Sequence, residues 1–320
     1  MKLIIFCLVI KATISVNFDS AYLAFIGSNY NDYKIFREGL NFNEVINENY
    51  FNISRPSVFI THGWRDGFRE EFGKVMVEAY LYRNDSNIIF GDWSFYSPFF
   101  NYIAVAGSVP ELAKTFLKYL NKIKQTGYDL KQIHFVGHSL GAHVFGKIGE
   151  ILKADNIFLP RITGLDPAGP TFNVEILIKM FMLSFKVPSN PGLRKGNARF
   201  VDIIHTDAGL VGTTASTGDL DFWANGGKNQ PSCNTCPSAN GDVGIGCISC
   251  HHSTSWRYYA ESVRSLTPLF TSLRCTDGVH EYKEENCRGP ETASMGFYAS
   301  SDSRNGNYFI KTNAVSPFSH

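Results

Sequence analysis

The stretch that decides the fold is Gly137-His138-Ser139-Leu140-Gly141. The residues before it, 132–136 (Gln-Ile-His-Phe-Val), are mostly apolar and predict a short buried strand. After it, apolar residues recur at a helical spacing up to residue 153, which predicts an amphipathic helix. A Gly-x-Ser-x-Gly between strand and helix is typical of a nucleophile elbow, a tight turn that presents the serine hydroxyl at the top of a sheet. Ser139 is therefore the predicted nucleophile, and a glycine-rich helix start packed on the sheet is the alternative.

Length and composition set the class of protein. The chain has 320 residues, of which 44% are hydrophobic, so it can bury a large core as one α/β domain or two smaller ones. The net charge of +1 and the lack of a basic block argue against nucleic acid as a partner.

The first ten residues combine a positive start with an apolar run that is too short to span a bilayer. This pattern predicts a secretory signal peptide over residues 1–15, and the alternative is a buried N-terminal strand. No other stretch is long and apolar enough to predict a transmembrane helix, so we expect a secreted, extracellular protein. In that case Asn52-Ile53-Ser54 and Asn84-Asp85-Ser86 are usable glycosylation sequences.

The strand predicted at residues 57–61 is followed by His62-Gly63-Trp64. A glycine at this point lets the backbone turn, so that the amide of Trp64 faces the site together with the amide of Leu140. Two such N–H groups stabilise the negative oxygen of a tetrahedral intermediate, which makes them the predicted oxyanion hole. A plain turn is the alternative for His62-Gly63.

Strand and helix patterns alternate along the chain and predict a mostly parallel sheet with helices on both faces. A helix is expected at 70–83, a strand at 87–93, and a second helix after Ser108, which we expect to act as its N-cap. Residues 17–56 carry no chemistry that we can interpret. We find no internal repeat or low-complexity linker, which predicts a single domain over 16–320.

A further strand pattern, residues 161–165, leads into Asp166 in a loop with two prolines. A triad acid must be held rigidly so that it selects one tautomer of the histidine, which favours Asp166 over a simple Asp-Pro turn. Five histidines follow it, namely His205, His251, His252, His280 and His320. Residue chemistry does not separate His251 from His252, and His205 fits the end of a strand in the wall of the site.

Residues 174–187 are apolar and crowded but too short to span a membrane. They fit an interfacial loop that enters lipid, a pair of strands, or sequence foreign to the protein such as translated intron. Deleting 174–188 joins two polar segments into an ordinary loop, which favours the last interpretation.

Removal of the signal segment leaves six cysteines, an even number that indicates disulfides with 15 connectivities. Cys233-x-x-Cys236 and Cys247-x-x-Cys250 also have the spacing of a zinc site. Disulfides are favoured over zinc because the signal peptide directs the chain to an oxidising compartment.

Residues 133–146 (Ile-His-Phe-Val-Gly-His-Ser-Leu-Gly-Ala-His-Val-Phe-Gly) resemble the animal pancreatic-type lipases and their phospholipase A1 relatives, closest in type to the insect members. Further motifs follow in the family's order. The resemblance implies an α/β-hydrolase fold, an oxyanion hole at Trp64 and Leu140, and Asp166 in Gly-Leu-Asp-Pro-Ala as the acid. The family motif Cys-x-His selects His252, although Thr254-Ser255 stands where the family usually has Arg-Ser.

The resemblance also implies the disulfide pairing. Cysteines like Cys233 and Cys250 close the lid loop in the family, and Cys236–Cys247 would be nested inside that bridge. Cys275–Cys287 would pair near the C-terminus. We expect no room for a proper helix between the lid cysteines, and in this family a short lid accompanies phospholipase A1 activity.

The expected function is that of a secreted serine ester hydrolase that cleaves the sn-1 acyl ester of phospholipids with Ser139, His252 and Asp166. Triacylglycerol is the alternative substrate. A non-catalytic lipid-binding or yolk-type protein and a zinc-dependent interaction module are alternatives of other classes. The expected partner is a phospholipid or acylglycerol substrate at a lipid–water interface, with peripheral membrane contact. We expect no metal, no organic cofactor, no nucleic acid, no transmembrane segment and no C-terminal β-sandwich domain.

Overall fold

One large β-sheet organises the chain. The structure is a computed structural model that describes residues 18–96, 102–169, 172, 191–233, 245–279 and 281–320, with the backbone alone at 245–248. The expected signal peptide, 1–15, and the apolar segment 174–188 lie outside the described residues.

The strands are β1 (Tyr22–Ile26), β2 (Tyr33–Phe36), β3 (Ser57–Thr61), β4 (Asn87–Asp92), β5 (Ile133–His138), β6 (Arg161–Leu165), β7 (Phe200–His205), β8 (Leu220–Ala224), β9 (Thr271–Arg274), β10 (Thr292–Ser294) and β11 (Gly306–Ile310). The helices are α1 (Phe42–Asn47), α2 (Glu71–Arg83), α3 (Tyr102–Gly107), α4 (Val109–Gln125), α5 (Leu140–Ala154) and α6 (Ile245–Arg264). Short 3₁₀ turns lie at Leu130–Gln132, Asn225–Gly227, Pro231–Cys233 and Glu284–Asn286.

The strand order is β10-β9-β11-β8-β7-β6-β5-β3-β4-β1-β2. From β11 to β4 all neighbours are parallel. The outer strands at both sides pair in antiparallel fashion. The carboxyl ends of β3 to β7 therefore share one rim of the sheet, which we call the carboxyl-end rim, and their amino ends form the amino-end rim.

The alternation of side chains along the strands explains the two apolar layers of the core. Phe59 faces α4 and α5, where it packs with Phe116, Phe135 and Phe145 at ring-centroid distances of 4.9–5.8 Å. Val58 and Ile60, its neighbours in β3, face the opposite layer formed with α2 and α6. The prediction of a mostly parallel sheet with helices on both faces is confirmed.

Residues 18–56, for which the sequence analysis made no prediction of elements, contain β1, β2 and α1. Two local expectations need correction. The predicted first residue of β5, Gln132, instead ends a 3₁₀ turn that the side chain of Asp129 caps at the amide of Lys131. Ser108 does not cap α4 with its hydroxyl, because α3 runs almost directly into α4 and the hydroxyl donates back to the carbonyl of Ala104 at 2.9 Å.

Among the described residues, no helix has the length and apolar character needed to cross a membrane.

Candidate active site

The nucleophile elbow lies between β5 and α5. Ser139 has φ 55° and ψ −120°, a strained conformation for a non-glycine residue. Its amide donates to the carbonyl of Leu165 at 3.0 Å, which ties the turn to the end of β6. A Cβ on Gly137 would lie 2.5 Å from the amide nitrogen of Ala142, and one on Gly141 would lie 2.6 Å from the carbonyl oxygen of His62. Both flanking glycines are thus required by close backbone contacts.

The loop after β3 lies directly against this turn. A Cβ on Gly63 would be 2.7 Å from the Cβ of Ser139, so only glycine lets the two segments approach this closely. The side chain of His62 fixes this loop. Its Nδ1 donates to the carbonyl of Gly63 at 2.8 Å, its Nε2 accepts from the amide of Trp93 at 3.0 Å, and its ring stacks on that of Trp93. These two bonds define one tautomer of a fully buried imidazole.

Each predicted oxyanion donor directly follows, in the chain, one of the two residues at which the loop and the elbow meet. Trp64 directly follows Gly63, the residue that contacts Ser139, and Leu140 directly follows Ser139. Their role as donors to a substrate oxygen stays a prediction.

Asp166 follows β6 and is completely buried. Its Oδ1 accepts from the amides of Thr206 and Asp207 at 2.8 and 3.1 Å. Its Oδ2 accepts from Nδ1 of His252 at 2.6 Å. Gly212 backs the carboxyl group, since a Cβ there would lie 2.5 Å from its oxygens. The carboxyl group is thus held by three donors and by the loop after β7.

His252 belongs to α6 and is 8% exposed. Because Nδ1 donates its hydrogen bond to Asp166, Nε2 is the nitrogen that remains for acid–base chemistry, and it has no hydrogen-bond partner among the described residues. The ring packs against that of His138, the residue before Ser139, with 4.5 Å between centroids. Nδ1 of His138 lies 3.7 Å from Oδ2 of Asp66, while burial and the nearby His252 lower the pKa of His138.

The other histidines that follow Asp166 in the chain do not contact its carboxyl group by a hydrogen bond where the structure describes them. Nδ1 of His251 accepts from the amide of Gln230 at 2.9 Å. Nε2 of His205 bonds to Asp221 at 2.8 Å, and its ring stacks on Trp223. His320 is exposed, and His280 lies outside the described residues. The structure therefore joins His252, and no other histidine that it describes, to Asp166 by a hydrogen bond.

One buried acid of the site was not singled out from the sequence. Asp207 is 1% exposed, and its carboxyl oxygens make no hydrogen bond of good geometry within the described part of the chain. Burial, followed by the charge of Asp166, raises its pKa to about 8, and the nearby backbone N–H of Val211 opposes this rise only in part. The signal that would have found it is its position just beyond β7, the neighbour of the strand that leads to Asp166.

Within the part of the chain that the structure describes, Asp166, Asp207 and His252 also have ligand atoms close enough to hold a metal ion, within 4.8 Å of one another. The nitrogen of His252 and an oxygen of Asp166 already bond to each other. This bond accounts for the short distance between two of the three residues.

The structure pairs Cys233 with Cys250 and Cys275 with Cys287. Sulfurs joined in this way are no longer thiolates and do not bind zinc. The expected pair Cys236–Cys247 lies outside the described side chains. The expectation that the enclosed loop has no room for a helix is wrong at its end, because α6 begins at Ile245 and already includes Cys250. The helix that carries His252 thus extends back into the loop.

A strained serine after the central parallel strand, an acid after the next strand and a later histidine bonded to that acid define the class of α/β hydrolases. The chain matches the family model named Lipase over residues 11–318, and it belongs to this family.

Three relatives illustrate the match. Rabbit (Oryctolagus cuniculus) lipase member H is 29% identical over 80% of this chain and 54% of its own length. Human pancreatic lipase-related protein 2 is 31% identical over 88% of this chain and 59% of its own length. Rat (Rattus norvegicus) phospholipase A1 member A is 32% identical over 70% of this chain and 45% of its own length. The chain spans about half the length of the curated relatives it matches.

Proposed function

We propose that the chain is a secreted serine hydrolase of lipid carboxylic esters, in which Ser139 is the nucleophile, His252 the general base and Asp166 the residue that orients His252. The observation that carries this proposal is the 2.6 Å bond between Nδ1 of His252 and Asp166, beside a serine held in a strained elbow. Membership of the lipase family supports it, and the disulfides support an oxidising, extracellular location.

Acylation begins when Oγ of Ser139 attacks the carbonyl carbon of the ester. Nε2 of His252 takes the serine proton, while Asp166 stabilises the resulting imidazolium through Nδ1. The carbonyl π electrons move to oxygen, and the amides of Trp64 and Leu140 bind this oxyanion. One donor of this kind is typically worth about 3 kcal/mol. Collapse of the intermediate breaks the ester C–O bond, and His252 gives its proton to the leaving alcohol.

Deacylation repeats these steps with water. His252 takes a proton from the water molecule, whose oxygen attacks the carbonyl carbon of the acyl-serine. The second tetrahedral intermediate expels Oγ of Ser139, which recovers its proton from His252. The products are a fatty acid and an alcohol, and the enzyme returns to its starting state.

The proposed substrate is the sn-1 ester of a phospholipid. The Cys233–Cys250 bridge encloses a loop with a sequence separation of only 17, which leaves little chain to cover the site from a bulky head group. The similarity to phospholipase A1 member A supports the same choice. Large apolar side chains at the carboxyl-end rim suit contact with lipid, since Phe95, Ile103 and Leu210 are 61%, 42% and 52% exposed.

Triacylglycerol is the second candidate substrate. The observation that favours it is the start of α6 at Ile245, inside the enclosed loop, because a lid of a triacylglycerol lipase includes a helix. The similarity to pancreatic lipase-related protein 2 over 88% of the chain agrees with this candidate.

The test compares purified wild-type protein with Ser139→Ala on phosphatidylcholine labelled differently at its two acyl positions, with trioleoylglycerol in parallel. Serine-dependent release from the sn-1 position, with little from the oil, is the expected result. Release mainly from the oil would favour the second candidate. Hydrolysis that persists in Ser139→Ala would contradict the proposed nucleophile.

A further inference from the structure

Two Asn-x-Ser sequences lie next to each other on the amino-end rim, away from the catalytic serine. We propose that Asn52 and Asn84 each carry an N-linked glycan, and that this placement leaves the carboxyl-end rim free to contact lipid. The glycans depend on the export proposed above, and the placement depends on the proposed action at a lipid surface.

The register of the sheet separates the two rims. Asn52 precedes β3 and Asn84 precedes β4. The first residues of these two strands, Ser57 and Asn87, are paired. Ser57 also pairs with Ile133, the first residue of β5, whereas Ser139 follows the last residue of that strand. A five-residue strand is about 16 Å long, so the acceptor asparagines and the serine lie at opposite ends of the sheet.

Hydrogen bonds hold the two sequences side by side. The side chain of Asn87 accepts from the amide of Asn52 and donates to its carbonyl, both at 2.9 Å. The guanidinium of Arg55 donates to the carbonyl of Asn84 at 2.7 Å. Each of these bonds uses backbone atoms of the acceptor asparagine, so the two loops are fixed without use of the side chains that take the sugar.

Both acceptor residues are exposed in the folded chain. Oδ1 of Asn52 accepts from the amide of Ser54 at 2.8 Å, which leaves Nδ2, the atom that bonds to the sugar, outside that hydrogen bond. Asn84 ends α2 in the left-handed conformation with φ 50°, and its amide donates to the carbonyl of Tyr80. A glycan at either residue is therefore compatible with the fold.

The surroundings of the two residues favour a bulky, solvated group. Asn52 and Asn84 line the same cavity of about 600 Å³. Ile53, 47% exposed, lies within one sequence, and Tyr82, 71% exposed, lies two residues before the other. Glycans at these positions would cover this apolar surface and hold the amino-end rim in water.

The modification transfers an oligosaccharide from a lipid-linked pyrophosphate donor. Nδ2 of the asparagine forms a bond to the anomeric carbon of the sugar and loses a proton. The bond between that carbon and the pyrophosphate oxygen breaks, and the lipid pyrophosphate leaves with the electron pair. The hydroxyl of the serine two residues later is part of the acceptor sequence.

The first experiment measures the gel mobility of the secreted protein before and after treatment with peptide-N-glycosidase. We expect the treatment to increase the mobility of the wild-type protein by the amount that two glycans produce. Ser54→Ala and Ser86→Ala should each lack one of these two glycans. These variants keep both asparagines and the backbone hydrogen bonds around them. Ser54→Thr and Ser86→Thr preserve the acceptor sequences and are the matched controls. An unchanged mobility of the enzyme-treated wild-type protein would overturn the glycan proposal, whatever the protein hydrolyses.

The second experiment tests the placement by flotation with phosphatidylcholine vesicles, a readout that needs no hydrolysis. In a Pro98→Ala background, which removes the proline that disfavours use of the acceptor sequence, Phe95→Asn creates an Asn-Tyr-Ser sequence on the carboxyl-end rim, and Phe95→Gln in the same background is its matched control. We expect glycosylated Phe95→Asn to lose vesicle binding about tenfold relative to Phe95→Gln. Ser54→Ala and Ser86→Ala should bind within about twofold of wild type. Equal binding by both Phe95 variants, or no binding by wild type, would overturn the placement.

Discussion

Two aspartates lie beyond the ends of neighbouring strands, and the protein treats them differently. Asp166 after β6 receives three hydrogen bonds, from two backbone amides and from His252. Asp207 after β7 is equally buried, yet its oxygens make no hydrogen bond of good geometry among the described residues. Burial raises its pKa to about 8, and the backbone N–H of Val211 opposes this rise only in part. Burial alone therefore does not decide the role of a carboxyl group in this site. The hydrogen bonds that each carboxyl group makes distinguish the two acids, and the strongest of them joins Asp166 to His252.

The largest expected difference separates the two adjacent histidines, of which only His252 joins the well-bonded acid. His252→Ala should reduce kcat by about 10⁶-fold, because the serine loses its base. His251→Ala removes an acceptor for the amide of Gln230 and should cost less than about tenfold. Ester hydrolysis by the two purified variants, with circular dichroism to verify folding, measures the difference. The reverse order would assign the base to His251.

The next difference separates the two aspartates directly. Asp166→Asn should reduce kcat by about 10⁴-fold, because the amide selects the wrong tautomer of His252. Asp207→Asn leaves the bond between Asp166 and His252 in place, and we expect a loss below about tenfold. Comparable losses in both variants would mean that the two acids act together rather than in separate roles.

A smaller effect follows from moving Asp166 without replacing it. Gly212→Ala would place a methyl group 2.5 Å from the oxygens of Asp166. Displacement of the carboxyl group by about 1 Å should cost about 10²-fold in kcat. Gly107→Ala is the control, since a Cβ there meets no atom within 4 Å. If Gly212→Ala retains full activity, the position of the carboxyl group is less demanding than we infer.

The smallest effect concerns the pH dependence of stability. Asp207 in the folded protein has its pKa raised to about 8, whereas an unfolded aspartate has a pKa of about 3.9. The folded state therefore retains a proton that the unfolded state releases, so stability falls as the pH rises between these two values. Asp207→Asn removes this loss. The Tm of Asp207→Asn minus the Tm of wild type should therefore become larger from pH 5 to pH 8. Each kcal/mol of unfolding free energy that the wild type loses should add about 2 °C to this difference. A Tm difference that is constant over this range would show that Asp207 is ionised throughout.

Local motifs predicted the elbow and the strands that lead to it. Ser57–Thr61 has the predicted bounds, and the elbow strand and helix differ from their predicted bounds by one or two residues. These elements are continuous in sequence and buried on both faces, so their pattern is strong. The three residues that we propose as a triad were also accessible from motifs, because each lies beside a strand or within a recognisable sequence.

The environment of Asp207 was not accessible in this way. Its pKa depends on burial and on the charge of the nearby Asp166, and the pairing of β6 with β7 brings these two acids together. The hydrogen bond of Ser108 to Ala104 depends on how α3 meets α4. The adjacent positions of Asn52 and Asn84 depend on the bonds made by Asn87. Each of these features joins separate segments, which a linear pattern does not record.

The most direct test of the central claim is covalent labelling with a fluorophosphonate, followed by peptide mapping of the adduct. An activated serine displaces fluoride from phosphorus, with the proton passing to the base and fluoride leaving. We predict a single adduct on Ser139 in the wild-type protein, with none in Ser139→Ala and strongly reduced labelling in His252→Ala. An adduct on another residue, or ester hydrolysis by a protein whose Ser139 does not react, would contradict the proposed mechanism.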